Sequence, residues 1–330
     1  MGAGADRTGG HCAEGQGTAC PDANSSEALR ELLYDSCYYR KVSDLSTVAV
    51  LGAGTMGVGI ATAIARSGHQ VVLFDSVPNR AVEGRRSVAA TLESGVRRGK
   101  LTVSERDETV GRVRPASSLS EIVDAAVVVE AIPEDLELKA EVLRRVEEVC
   151  SSELVLHTNT STLSVTALAG RLHRPDRLIG THYCSPADRV RLVEVAPARQ
   201  TDPAVVSQTV QFVHHLGKDP VVLKDTPGLL TNYLLVPFEN DCVRALEAGW
   251  ATAEEIDLAV VTGAGFPMGV FRLLDLVGLD VHHAVSTSLY DQFHDPRFAA
   301  PPLVARMVAA GELGRKTGTG FYRYDDVRSR

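Results

Sequence analysis

The stretch from Val48 to Asp75, VAVLGAGTMGVGIATAIARSGHQVVLFD, constrains this chain more than any other segment. A β-branched apolar run, Val48 to Leu51, ends in Gly52-x-Gly54-x-x-Gly57. A helix-like pattern then leads to a second apolar run, Val71 to Phe74, closed by Asp75. Strand, glycine turn, helix, strand and acid in this register describe a nucleotide-binding βαβ unit. Gly52 permits the tight turn out of the strand, Gly54 lets the backbone approach a pyrophosphate, and Gly57 lets the helix sit close on the strand. The helix start, at Thr55 and Met56, offers unpaired N–H groups and the positive end of its dipole to phosphates. Asp75 falls where a carboxylate accepts both ribose hydroxyls of an adenosine half and repels a 2′-phosphate. The expected cofactor is therefore NAD rather than NADP.

From Thr47 the chain alternates strands and helices. Ala126 to Ala131 and Leu154 to His157 read as buried parallel strands, with the amphipathic helix Asp135 to Val149 between them. Leu178 to His182 and Leu192 to Ala196 are further strands, followed by a helix from Pro203 to His215 and a last strand at Val221 to Leu223. Beyond Asp225-Thr226-Pro227-Gly228 only helical periodicity remains, over Leu229 to Gly249, Thr252 to Thr262, Phe271 to Tyr290 and Pro302 to Ala310. The expected fold is α/β: a doubly wound Rossmann-type parallel sheet over residues 46–224, then an all-α domain over 225–330. Residues 1–45 read as a disordered extension without periodicity, in which Glu27 to Tyr39 could form a short amphipathic helix.

Charge and cysteine usage exclude several classes. The net charge of −8 argues against nucleic acid as a partner, and no apolar run approaches the roughly 18 residues that span a bilayer. The six cysteines, at 12, 20, 37, 150, 184 and 242, show no metal-ligand spacing. No metal is expected, and the pattern suits a reducing cytoplasm.

The segments LGAGTMGVGI, VVEAIPEDLELK, TNTSTL, GTHYCSP, RLVEV, KDTPGLLTN, GAGFPMG, LLDLVGLD and GRKTGTGFY occur in that order from about Thr47 to Tyr324. Together they resemble the L-3-hydroxyacyl-CoA dehydrogenase family. The resemblance implies that His182 is the catalytic histidine and Glu194 its partner, and that Ser161 and Asn232 flank the substrate hydroxyl. It places Glu134 and Lys139 near the nicotinamide ribose and Arg98 near the phosphates of CoA. It also implies a helical domain that dimerises.

Those side chains make chemical sense. Oxidising a secondary alcohol removes a proton from oxygen as a hydride leaves carbon, and histidine suits that proton near neutral pH. A carboxylate on its other nitrogen fixes the tautomer. Glu194 lies inside an apolar strand, where a carboxylate needs a partner. Ser161 and Asn232 also fit helix caps, Arg98 also fits a solvated helix end, and Cys184 reads as pocket lining.

Two departures bear on the substrate. Where the family shows His-Phe-Phe-Asn-Pro, this chain has His182-Tyr183-Cys184-Ser185-Pro186, followed by the charged Asp188, Arg189 and Arg191; Tyr233 replaces an arginine after Asn232. The leading expectation is NAD-dependent oxidation of a 3-hydroxyacyl-CoA, as in fatty acid metabolism. The alternative is oxidation of a short polar acyl group on an acyl carrier protein. An example is glyceryl-carrier oxidation towards hydroxymalonyl or alkoxymalonyl extender units in specialised metabolism. A sugar-acid or hydroxy-acid dehydrogenase would not need the basic cluster around Arg98. A catalytically retired NAD-sensing protein would have no need for Ser161, His182, Glu194 and Asn232 together.

Overall fold

The apolar runs on either side of the glycine turn form strands β1 (Thr47–Leu51) and β2 (Gln70–Phe74), paired in parallel across helix α1 (Thr55–Arg66). Ile60, Ala61, Ile64 and Ala65 bury the sheet-facing side of α1, and Gly68, at φ +101°, turns the chain back into β2. The computed structural model describes residues 47–324, all within one unit of the chain. The expected extension, its helix from Glu27 to Tyr39 and the cysteines at 12, 20 and 37 lie outside the described residues.

After β2 come helices α2 (Arg80–Arg97) and α3 (Val103–Gly111) and strand β3 (Val113–Ala116), none of which the periodicity had marked. Then follow β4 (Val127–Glu130), α4 (Leu136–Val149), β5 (Val155–Thr158), α5 (Val165–Ala169), β6 (Leu178–Tyr183), β7 (Leu192–Pro197), α6 (Pro203–His215) and β8 (Asp219–Val222). The strands make one eight-stranded sheet in the order β3-β2-β1-β4-β5-β6-β7-β8. The chain order reverses between β1 and β4, which opens a crevice at the carboxyl ends of those strands.

The expectation of a parallel sheet needs one correction. β3 through β6 run parallel, but β7 pairs antiparallel with β6, and β8 then runs parallel to β7. The connection from Cys184 to Arg191 is too short for the helical crossover that a parallel return requires.

The remainder is helical, as expected, in α7 (Leu229–Glu247), α8 (Ala253–Ala264), α9 (Val270–Val277), α10 (Leu279–Phe293) and α11 (Pro302–Ala309). The single helix read over Phe271 to Tyr290 is two, broken at Gly278, whose φ of +108° and ψ of 128° lie outside any helix. Val243, Val270, Phe271, Leu274 and Val304 form a core here, distinct from the cluster under the sheet around Val128, Leu143, Leu156 and Leu178.

Candidate active site

The antiparallel pairing decides the centre of the site. Register sets His182 directly opposite Glu194, so both side chains leave the same face of the sheet. Nδ1 of His182 lies 2.8 Å from Oε2 of Glu194. Glu194 is only 1% exposed, and a lone charge there would be costly. Its Oε1 accepts the backbone N–H groups of Leu230 at 2.9 Å and Thr231 at 2.8 Å, in the first turn of α7. Gly228 and Leu229, at φ +77° and +53°, make the left-handed entry to that helix. Burial pushes the Glu194 carboxyl up, but the bonds to His182 and Thr231 outweigh it and hold it below the ordinary value of 4.5. An ionised Glu194 accepts from Nδ1–H, which leaves the Nε2 lone pair of His182 free to take a proton.

His182 lies on a cavity of about 330 Å³ together with Ser161, Asn232, Thr231, Asn159 and Met56. The four residues expected to handle the substrate are thus brought to one place, three on the cavity and Glu194 behind His182. Ser161 is set by Glu134, whose Oε1 accepts from Thr160 Oγ1, Ser161 N and Thr162 N at 2.5, 2.9 and 2.9 Å. Burial raises the Glu134 carboxyl, but Lys139 and these donors hold it below its ordinary value.

Lys139 stands behind this surface instead of on it. It is 1% exposed, with Nζ 2.6 Å from Glu130 Oε1, 3.2 Å from Ile132 O and 3.3 Å from Glu134 Oε2. Its link to the site is the ion pair with Glu134. Its main partner, Glu130, is 0% exposed and also accepts from Thr158 Oγ1 at 2.6 Å and Ile132 N at 2.8 Å. Sequence reasoning missed Glu130, although the acid closing the apolar run of β4 was a signal. It also missed Asn159, whose Oδ1 accepts Tyr183 N at 2.9 Å.

The glycine turn fits a dinucleotide. Gly54 caps α1 with no side-chain hydrogen bond, and open space lies where its Cβ would be. A Cβ on Gly52 would meet Ala131 O at 2.4 Å, and one on Gly57 would meet Gly52 O at 1.8 Å. Asp75 ends β2 with Oδ2 accepting from Ala53 N at 2.8 Å and Oδ1 from Val77 N at 2.9 Å, which stitches the acid to the turn. Thr55 lies on the neighbouring hollow of about 500 Å³ with Gly54, Arg80, Thr91 and the loop Ser185 to Arg189.

Arg98 is not brought to His182. It lines a further hollow of about 190 Å³ with Arg66, Lys100, Thr91, Asp188 and Arg189. The hollows nevertheless adjoin: Ser185 lines the first two, and Thr91, Asp188 and Arg189 line the second and third. A trough thus leads from His182 past Ser185 to four cations, Arg66, Arg98, Lys100 and Arg189. Buried Lys218 braces its wall, with Nζ 2.7 Å from Ala187 O and 2.6 Å from Val190 O.

Cys184 adds a third possible ligand atom within 4.8 Å of His182 and Glu194. Burial, with the Glu194 charge, pushes its thiol up to about 11, so it stays protonated at neutral pH. Both Glu194 oxygens are already engaged, and these side chains serve the imidazole better than a cation. Tyr233, in place of the arginine, packs against Phe293 and Phe298.

Comparison with known proteins gives a consistent result. The NAD binding domain of 3-hydroxyacyl-CoA dehydrogenase matches residues 47–226, and the C-terminal domain of the same family matches 228–324. A 3-hydroxybutyryl-CoA dehydrogenase of Mycobacterium tuberculosis is 38% identical over 282 residues, covering 85% of this chain and 99% of that protein. A 3-hydroxyadipyl-CoA dehydrogenase of Escherichia coli is 41% identical over 283 residues, covering 84% of this chain and 59% of that longer protein. The crystal structure of (S)-3-hydroxybutyryl-CoA dehydrogenase from Ralstonia eutropha superposes with a TM-score of 0.79 at 35% identity, covering 86% of this chain and all of that one (100%).

Proposed function

Because the chain belongs to the 3-hydroxyacyl-CoA dehydrogenase family, we propose that it oxidises a 3-hydroxyacyl thioester to the 3-oxoacyl thioester with NAD. The observation that carries this reading is the His182–Glu194 couple on one cavity with Ser161 and Asn232. His182 Nε2 takes the proton of the 3-hydroxyl, and Glu194 stabilises the resulting imidazolium through Nδ1–H. Ser161 and Asn232 hold the 3-oxygen. Gly52, Gly54, Thr55, Met56, Gly57, Asp75 and Glu134 would hold NAD, with Lys139 fixing Glu134, and the bound cofactor would supply the hydride acceptor for C3.

The trough supports a CoA thioester. A pantetheine arm passing Ser185 would bring the charged end of CoA to Arg98 and its neighbouring cations. The same arm on a carrier protein would also pass Ser185, and Asp188 and Arg189 at the mouth would then face the carrier; this is the second reading. The two hydrophobic clusters favour a domain division near residue 225, with Leu229 at the start of α7 packing into the cluster under the sheet. Exposed Leu234, Trp250 and Leu258 in the helical part suit a homodimer interface. Among the described residues no helix is long and apolar enough to cross a membrane. The free Cys150, Cys184 and Cys242 favour a reducing compartment such as the cytoplasm.

The test is NADH formation from L-3-hydroxybutyryl-CoA and from a carrier-bound glyceryl thioester. The CoA substrate is expected to turn over faster. His182→Ala should lose roughly 10²–10⁴-fold in kcat while still binding NAD. Absence of turnover on both substrates, or a fully active His182→Ala enzyme, would refute the proposal. Turnover on the carrier alone would move the enzyme to a biosynthetic pathway.

A further inference from the structure

The cavity that holds His182 continues along α7, and its far end is polar. Asn232 and Glu239 are seven residues apart on α7 and share a face. At ~1.5 Å per residue they stand about 10 Å apart along the axis. Leu235, Val236, Leu274 and Val285 line the wall between, which suits an acyl chain. Glu239 and His282, 8% and 4% exposed, then close it. A wall built only for methylenes gains nothing from two buried ionisable groups, since apolar side chains would fill the space at less cost.

Proton accounting defines what this end offers. Asn240 Nδ2 donates to the carbonyls of Arg297 at 3.1 Å and Phe298 at 3.3 Å, so its Oδ1 faces His282 Nε2 at 3.0 Å. Nε2 therefore carries a hydrogen. His282 Nδ1 lies 3.2 Å from Glu239 Oε2, which ties that carboxylate oxygen to the ring. Both ring nitrogens are thus engaged within the fold. Among the described residues Glu239 Oε1 has no hydrogen-bond partner, which leaves an acceptor beside an apolar wall.

We propose that Glu239 and His282 form a distal subsite that selects a 3-hydroxyacyl chain bearing a hydroxyl several bonds beyond C3. This rests on the dehydrogenase reading above. The hydroxyl donates to Glu239 Oε1. A terminal carboxylate meets a carboxylate oxygen there and is disfavoured. An unsubstituted chain covers Oε1 and leaves it unpaired, the situation that gives polar sites their strongest discrimination.

The test compares kcat/KM, with NAD, over L-3-hydroxyacyl-CoA chains of graded length, each with and without a terminal hydroxyl. L-3-hydroxybutyryl-CoA, too short to reach Glu239, is the reference in every preparation. At one chain length the hydroxyl form should exceed its unsubstituted partner by about tenfold or more, and 3-hydroxyadipyl-CoA should be a poor substrate. Glu239→Leu should abolish or reverse that ratio, which does not depend on the fraction of folded enzyme. A wild-type ratio within about twofold at every length, or a preference for the plain chain, overturns the subsite; the threshold is well under the ~1.4 kcal/mol of a tenfold effect. So does a hydroxyl preference that survives Glu239→Leu. Turnover of the reference distinguishes these failures from failure of the dehydrogenase reading, which would leave every CoA substrate inert and take the subsite with it.

Discussion

Replacing Glu194 by Gln preserves shape but forces a choice at the centre of the site. The native carboxylate presents an acceptor to His182 Nδ1 on one side and to the N–H groups of Leu230 and Thr231 on the other. An amide has one acceptor end and one donor end. If its NH₂ faced α7, two backbone donors would be left unsatisfied at ~1–3 kcal/mol each, so that orientation is disfavoured by about 2–6 kcal/mol. The amide oxygen is therefore claimed by α7, and the NH₂ faces His182. Backbone N–H groups cannot reverse their polarity, but an imidazole can. His182 then moves its proton to Nε2, the atom that must accept the substrate proton.

The expected loss in kcat is ~10²–10⁴-fold, towards the upper end because the base is blocked, as with the wrong tautomer in hydrolase triads. NAD affinity should hold, since Glu194 lies away from the glycine turn. Steady-state NADH formation gives the rate, and ¹⁵N NMR of the His182 ring reads the tautomer. The variant has a pH signature as well. Glu194 is held below its ordinary 4.5, so it contributes stability that is complete above that pH and is lost as pH falls through 4.5 towards the folded value. Glu194→Gln should flatten that acid limb. Activity within tenfold of wild type, or an Nδ1–H tautomer in the variant, would refute the reasoning.

Three further substitutions separate folding from binding and packing from polarity. Gly57→Ala puts a methyl 1.8 Å from Gly52 O and 2.8 Å from Gly52 C, both backbone, so the turn itself must move. About 3 kcal/mol of stability should be lost by urea titration along with NAD binding. Gly54→Ala meets nothing within 4 Å and should keep its stability and lose NAD affinity in calorimetry. Tyr183 is 1% exposed and its hydroxyl has no partner among the described residues. Tyr183→Phe should therefore raise the unfolding free energy by about 1–2 kcal/mol, and an unchanged or lower urea midpoint would mean that a solvent molecule satisfies the hydroxyl.

Local rules alone carried the nucleotide unit. The glycines of the first turn are dictated by backbone clearance, and Asp75 follows at the end of the next apolar run; both are properties of adjacent residues. The helical character of the second half was legible for the same reason, because periodicity records burial on one face. Where it failed, at Gly278, the helix pattern continued on both sides of a residue whose backbone breaks it. The order of motifs in the sequence determined the family, and with it the residues to look for. Tertiary structure alone decided how they meet. The reversal of β7 made His182 and Glu194 neighbours, and the start of α7, remote in sequence, supplied the donors that keep Glu194 ionised. Glu130 drew Lys139 inward, and Glu239 and His282 met on a cavity wall that neither helix specifies by itself. Hydrogen bonds between distant segments leave no period in the sequence, because each partner satisfies its own local pattern and only the fold sets the distance between them.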